Sequence, residues 1–229
     1  MKAALKRAKE LEEKRNAAGS HKSKAEQEKS KRKVAKGDVR ASTTDPDAHR
    51  MKMGDGGQRP AYNEQVAIDP DSGVILAAST TNEGLDGGML PPMVEKLENA
   101  YGSKPEAMIA DGGFVTKNAI DTLHEKGVQV YAPVDKPRTD RDRFARLKGD
   151  SEGVGQWRER MGTADGQTIY KKRPLVEWVF ARFRNWGLRQ FCVRTQARVQ
   201  SSLLLYALTH NFLLDISRLK ALAATPKAA

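Results

Sequence analysis

Between Ala61 and Thr80, apolar and polar residues alternate in two short runs, Ala61–Ile68 and Val74–Thr80, on either side of the pentapeptide DPDSG. Val and Ile at a period of two suit pleated strands, and the Pro, Asp and Gly between them supply turn geometry, so the pattern predicts a hairpin. The period then lengthens. Leu90, Met93, Val94 and Leu97 recur at helical spacing within Met89–Tyr101, and Gly102 ends that element. A brief apolar run in PEAMIADGGF stops at Asp111 and two glycines, Lys117–Lys126 reads as a helix halted by Gly127, and VQVYAP reads as another strand. The order β-β-α-β-α-β predicts an α/β domain: a mixed sheet covered by helices.

The second half is patterned differently. Residues 136–167 are polar and charged, with Pro137, Gly149, Gly153, Gly155, Gly162 and Gly166, which predicts a long loop or small insertion. The stretch YKKRPLVEWVFARFR, Tyr170 to Arg184, then reads largely as one helix, with Pro174 tolerated in its first turn. At 3.6 residues per turn, Tyr170, Arg173, Glu177 and Arg184 fall near one line, and Val176, Val179, Phe180 and Phe183 form an adjoining apolar stripe. A second long helix, Val193 to Leu219, carries Val199, Leu203, Tyr206 and Leu213 on a broad apolar face. No internal repeat is visible.

The length of 229 residues suits one substantial core with extensions. Charge divides the chain more sharply than hydropathy does. The net charge is +11, which favours nucleic acid over other partners, and residues 1–40 hold fourteen Lys and Arg against six Asp and Glu. Residues 1–41 therefore read as a basic arm, helical or disordered, because Leu5 and Leu11 cannot build a core. Residues 42–60, STTDPDAHRMKMGDGGQRP, read as an ordered entry loop, 42–219 as the folded domain, and 220–229 as a disordered tail. Cys192 is the only cysteine, which excludes an internal disulfide framework and fits a reducing cytoplasm. The longest apolar candidate, SSLLLYALTHNFLLDI, is interrupted by Thr209, His210 and Asn211, so no membrane span is expected.

Candidate chemistry lies in the carboxylates. Asp69 and Asp111 each end a predicted strand, where the loops of an α/β sheet leave a crevice for ligands. Each also suits a plain turn, since Asp is common where strands stop. Glu177 has an equally plain alternative, an i,i+4 ion pair with Arg173. Brought together, the three would repel unless cations neutralised them, and magnesium is the divalent ion that takes hard oxygen donors while retaining waters and phosphates. Asp45, Asp47 and Asp71 are nearby competitors of Asp69, which is favoured because it directly follows the strand EQVAI. The four histidines are scattered, and the glycine clusters match neither a dinucleotide nor a P-loop fingerprint.

With these residues in view, AYNEQVAIDPDSGVILAAST, AMIADGGF and YKKRPLVEWVFARFRNWGLRQF resemble the characteristic blocks of bacterial insertion-sequence DDE transposases. The last block is the most specific: Tyr170, Arg173, Glu177 and Arg184 follow the spacing of that family's Y-R-E-K signature, with Arg in place of the final Lys. The resemblance implies a ribonuclease H-like fold over about 42–219, with Asp69, Asp111 and Glu177 as the catalytic, metal-binding triad for two Mg2+ or Mn2+ ions. It further implies Tyr170, Arg173 and Arg184 as DNA contacts, and cleavage followed by strand transfer between transposon ends and target DNA. A homodimer at the bacterial nucleoid is compatible with that activity. Relatives usually carry a longer helical region at the front for recognising transposon ends, where this chain has a basic arm. A non-catalytic DNA-binding remnant, or a nuclease that cuts without rejoining, would share the same residues.

Overall fold

The structure, a computed structural model, describes residues 1–19, 41–137 and 140–224. The chain forms two compact units: Met1–Glu64 with Thr80–Gly84 and Phe191–Ser202, and Gln65–Ser79 with Leu85–Gln190 and Leu203–Ala229.

In the first unit, α1 (Lys2–Gly19) makes the front of the arm helical, while the remainder of the arm, 20–40, lies outside the described residues. The expected entry loop is a hairpin instead. Strands β1 (His49–Lys52) and β2 (Gln58–Ala61) pair antiparallel with His49 opposite Ala61. Its turn is closed by the Met53 amide donating to Gly57 O at 2.8 Å, and Gly56 takes a φ of 80° that a side chain would resist. Nearby, the Asp45 carboxylate accepts from the Tyr62 hydroxyl at 2.9 and 3.0 Å and from the Thr195 amide at 3.2 Å. Burial, then that carboxylate, push the Tyr62 hydroxyl up from its ordinary pKa.

From Asn63 to Tyr131 the chain follows the predicted order of elements. Strands β3 (Asn63–Ile68) and β4 (Ile75–Thr81) pair, with Asp69 to Val74 as the turn. Helix α2 (Leu90–Tyr101) buries the predicted Leu90, Met93, Val94 and Leu97, and stops at Gly102 with φ 70°. Strand β5 (Ala107–Ile109), helix α3 (Lys117–Glu125) and strand β6 (Gln129–Tyr131) complete a parallel pair in which Met108 lies opposite Val130.

Among the described residues the strands make three two-stranded sheets, where one mixed sheet was expected. Helical side chains take backbone groups that a further strand would need. Val130 O accepts from Arg160, and Ala132 O from the Trp157 indole at 3.1 Å, which closes the free edge of β6. Along β4, the Asn211 amide serves both N and O of Ile75 at 2.8 Å, and the Lys96 ammonium donates to Ala78 O.

Segment 136–167 is not simply a loop. Helix α4 (Glu152–Gly162) starts at Ser151, whose hydroxyl accepts from the Val154 amide, and buries Val154, Trp157 and Met161. Helix α5 (Ala164–Tyr170) starts at Thr163 in the same manner. Apart from Gly149, the glycines that made this segment read as a loop are packing positions: a Cβ on Gly153 would sit 2.8 Å from the His124 side chain, and one on Gly155 2.6 Å from that of Arg146. Ala110, Leu123, Val128, Val130, Ala132 and these helical residues share one core.

The stretch Tyr170–Arg184 is likewise two helices. Helix α5 ends at Tyr170, residues 171–174 turn, and α6 (Leu175–Asn185) begins after Pro174. Helix α7 (Gln196–Ala224) extends into the expected tail, of which 225–229 lie outside the described residues. In α7, Leu203, Ala207 and His210 are buried, whereas Leu204, Leu205, Leu208 and Phe212 are exposed. Phe183 packs edge-on against Phe180 and His210, and the His210 Nε2 hydrogen-bonds Gly73 O at 2.9 Å. Phe183→Ala should therefore cost about 3–5 kcal/mol, and Leu208→Ala, at a site 65% exposed, no more than about 0.5 kcal/mol. Denaturant unfolding of the two variants checks the contrast, and comparable losses would contradict this packing.

Candidate functional site

The second unit brings two of the three expected carboxylates to one cation. Asp111 follows β5, at the carboxyl end of the parallel pair, where the Ala110 amide still donates to Tyr131 O at 2.9 Å and holds the strand to its last residue. The chain then tightens into a short 3₁₀ turn, Gly112–Phe114, and the Asp111 Oδ1 accepts from the Gly112 amide at 2.8 Å. Its other oxygen, Oδ2, accepts from Arg173 Nη2 at 3.2 Å. The same Nη2 donates to Glu177 Oε1 at 2.7 Å. Glu177 stands in the first turn of α6, where a carboxylate also suits the positive end of the helix dipole.

Burial orders these groups. The Asp111 and Glu177 side chains are 59% and 60% exposed, and Arg173 between them is 28% exposed. The Arg173 Nε is buried and has no hydrogen-bond partner. Tyr170, at the end of α5, packs against the core. Burial raises its pKa, Arg173 opposes the rise, and the Asp111 and Glu177 carboxylates add to it, so three charged groups act on Tyr170. Arg184 is exposed in the last turn of α6 and belongs to no contact of this cluster among those resolved.

Asp69 is placed differently. Its carboxylate accepts from the Asp71 amide at 3.3 Å and the Ser72 amide at 3.1 Å, while its own amide donates to Val74 O and its carbonyl accepts from Gly73 N. The Ser72 hydroxyl and these amides lower its pKa, with Lys172 as a smaller contributor. Asp69 thus shapes the β3–β4 turn. Lys172, which sequence reasoning passed over, bonds Asp71 Oδ1 at 2.5 Å. Neighbouring residues of the 171–174 turn therefore reach two acidic groups, Lys172 the hairpin turn and Arg173 the Asp111–Glu177 pair. The extra cation was visible in the run YKKR, but its partner depends on where α5 breaks.

Among the described residues, no group of three or more His, Cys, Asp or Glu is gathered closely enough to hold a metal ion. The i,i+4 ion pair offered as the plain account of Glu177 is present. Arg173, expected on DNA phosphate, is its partner and also that of Asp111. Arg182 lies over the rings of both Trp178 and Trp186, at 4.8 and 4.9 Å. No helix among the described residues is long and apolar enough to cross a membrane.

No curated protein and no solved structure matches the chain. The model of one family does, described as the transposase DDE domain, and it matches residues 13–212, which include every element from β1 to β6 and helices α2 to α6. An α/β chain that presents carboxylates from a strand end and a helix start, and that is matched over most of its length, belongs to the DDE transposase domain family.

Proposed function

We propose that this chain is a transposase acting on double-stranded DNA, cutting a phosphodiester and transferring the resulting end, with its site in the second unit on a ribonuclease H-like framework. The observation that carries the proposal is the meeting of Asp111 and Glu177, from separate elements, at a single guanidinium nitrogen. Two carboxylates presented to a common cation are hard oxygen donors of the kind Mg2+ or Mn2+ accepts, so this part of the residue set fits the ion. When bound, such ions activate the attacking water or DNA 3′-hydroxyl and stabilise the leaving oxygen. Asp69 is the third carboxylate of the proposal.

The chain's own groups hold the substrate. Tyr170, Arg173 and Arg184 are proposed to grip phosphates flanking the scissile bond; the arginine fork suits two oxygens of one phosphate. The net charge of +11 draws the polyanion in, and the basic arm, 1–41, adds affinity without sequence choice. The second reading is a DNA-binding protein of the same fold that does not cut, and it is favoured by the engagement of the Asp69 carboxylate in its own turn.

Two measurements decide between them, and a third tests the arm. Glu177→Gln keeps the helix and removes the charge, so magnesium-dependent nicking of plasmid DNA should fall at least about a hundredfold, a loss of roughly 3 kcal/mol in transition-state stabilisation, while DNA affinity holds or rises. Nicking at the wild-type rate would remove the catalytic assignment.

Asp69→Asn retains an oxygen that accepts from the turn amides, so the melting temperature should stay within a few degrees. Lost nicking in that folded protein supports ligation, and retained nicking takes Asp69 out of the site.

Deleting residues 1–40 should weaken DNA binding and flatten its dependence on salt, because fewer counterions are then released. An unchanged slope of log affinity against log salt would mean that the arm does not touch DNA.

A further inference from the structure

Arg173 stands where a cation is wanted, between two carboxylates. Its Nη2 is within hydrogen-bond distance of Asp111 Oδ2 and of Glu177 Oε1, so these two oxygens lie no farther apart than the two bonds laid end to end. The side chain is held more deeply than either partner, with Nε buried and unpaired. Its backbone is fixed as well: the Arg173 amide donates to Tyr170 O at 3.0 Å, and Arg173 O accepts from the Val176 amide.

We infer that Arg173 is the resident counter-ion of the Asp111–Glu177 pair, and that a divalent cation enters this site only by displacing its guanidinium. The inference rests on the metal-site reading given above. Two carboxylates converging on one point repel unless a positive charge lies between them. The guanidinium supplies one positive charge permanently, since Arg does not deprotonate at working pH. Its Nη2 occupies lone-pair directions on the two carboxylates that an ion bridging them would use. A divalent ion at the same place brings twice the charge, so the two occupants exclude each other. Once displaced, the guanidinium has lost both acceptors, and a phosphate oxygen is the acceptor that the substrate brings. Metal binding and the availability of Arg173 for DNA are then linked, and linkage of this kind works in both directions.

This exchange has a sign that a structural role does not share. If Arg173 only held the carboxylates in position, removing it would scatter them and weaken metal binding. If it competes, removing it tightens binding. Because both carboxylates are more than half exposed, each bond is weak, and the gain is of the order of three- to tenfold.

The test titrates Mn2+ alone into the full chain and follows free Mn2+ by electron paramagnetic resonance. Wild type, Arg173→Gln, Arg173→Lys, Lys172→Gln and Glu177→Gln are compared, with melting curves to verify folding. Arg173→Gln should bind Mn2+ about three- to tenfold more tightly than wild type. Lys172→Gln, which removes a neighbouring positive charge that serves Asp71, should stay within about twofold. Arg173→Lys keeps the charge but carries it as a strongly hydrated ammonium on a more flexible stem, which holds the two carboxylates less firmly, so it should fall between wild type and Arg173→Gln, and it carries the test if the Gln variant does not fold. Equal or weaker binding by the Arg173 variants overturns the exchange while leaving the metal site standing. Equal tightening in Lys172→Gln also overturns it, since general charge would then suffice. Mn2+ binding that Glu177→Gln leaves unaltered overturns the metal site itself, and the exchange with it.

Discussion

Repulsion between the Asp111 and Glu177 carboxylates is the constraint around which the second unit's site is arranged. Asp111 is delivered by a strand of three residues, which has little pairing of its own to hold it. It is fixed because β6 beside it is fixed, and β6 has its far edge closed by the Trp157 indole and the Arg160 guanidinium of α4. Glu177 is delivered by a helix that starts at Pro174, immediately after the residue that must lie between the two acids. The 171–174 turn thus acts as a bracket. It ends one helix and begins another, and in doing so it aims a cation at two anions that neither helix alone would bring together.

The same device, a polar side chain from a helix standing in for a strand, recurs across the molecule. Asn211 answers both backbone groups of Ile75 in the second unit, and in the first Gln200 accepts from the Thr80 amide while Gln196 donates to Thr80 O. Buried backbone groups have to be paired. Where strands are short and sheets have two members, helices must carry the amides and guanidinium groups that complete the pairing. This explains why α7, outwardly an apolar helix, keeps Asn211 and His210 in its middle: one serves Ile75 and the other Gly73.

Elements with a clean period were legible in the sequence. The β3–β4 hairpin, α2 with its four buried residues, α3, and strands β5 and β6 lie where alternation and helical spacing put them. What escaped was local geometry decided by distant contacts. Helix α4 was hidden by glycines whose role is close approach to the side chains of His124 and Arg146, a fact of packing that composition does not carry. The β1–β2 hairpin was hidden because its strands contain Lys, Arg and Pro60 in place of β-branched residues. Helical spacing placed Tyr170, Arg173 and Glu177 on one line of one helix. They do gather, but through a turn and not a continuous helix. Asp69 had two accounts in the sequence, turn and ligand, and its hydrogen bonds give body to the turn.

The weakness of the ion pairs at Arg173 is itself informative. A bridge between two carboxylates that are more than half exposed contributes little to folding, because water screens it and two flexible side chains must be ordered to make it. Stability therefore does not explain why three charged groups share this spot, and the core of α2, α3, α4 and β6 holds without them. A weak bridge does something that a strong one would not. It suppresses the repulsion that would splay Asp111 and Glu177 apart, yet it leaves their oxygens available at small cost to a group that binds them better. Lys at this position would supply the charge as a compact, strongly hydrated ammonium, and the planar geometry of the fork would be lost. In the exchange inferred above, arginine would keep the two acids together and, once released, would already have the shape that a phosphate requires.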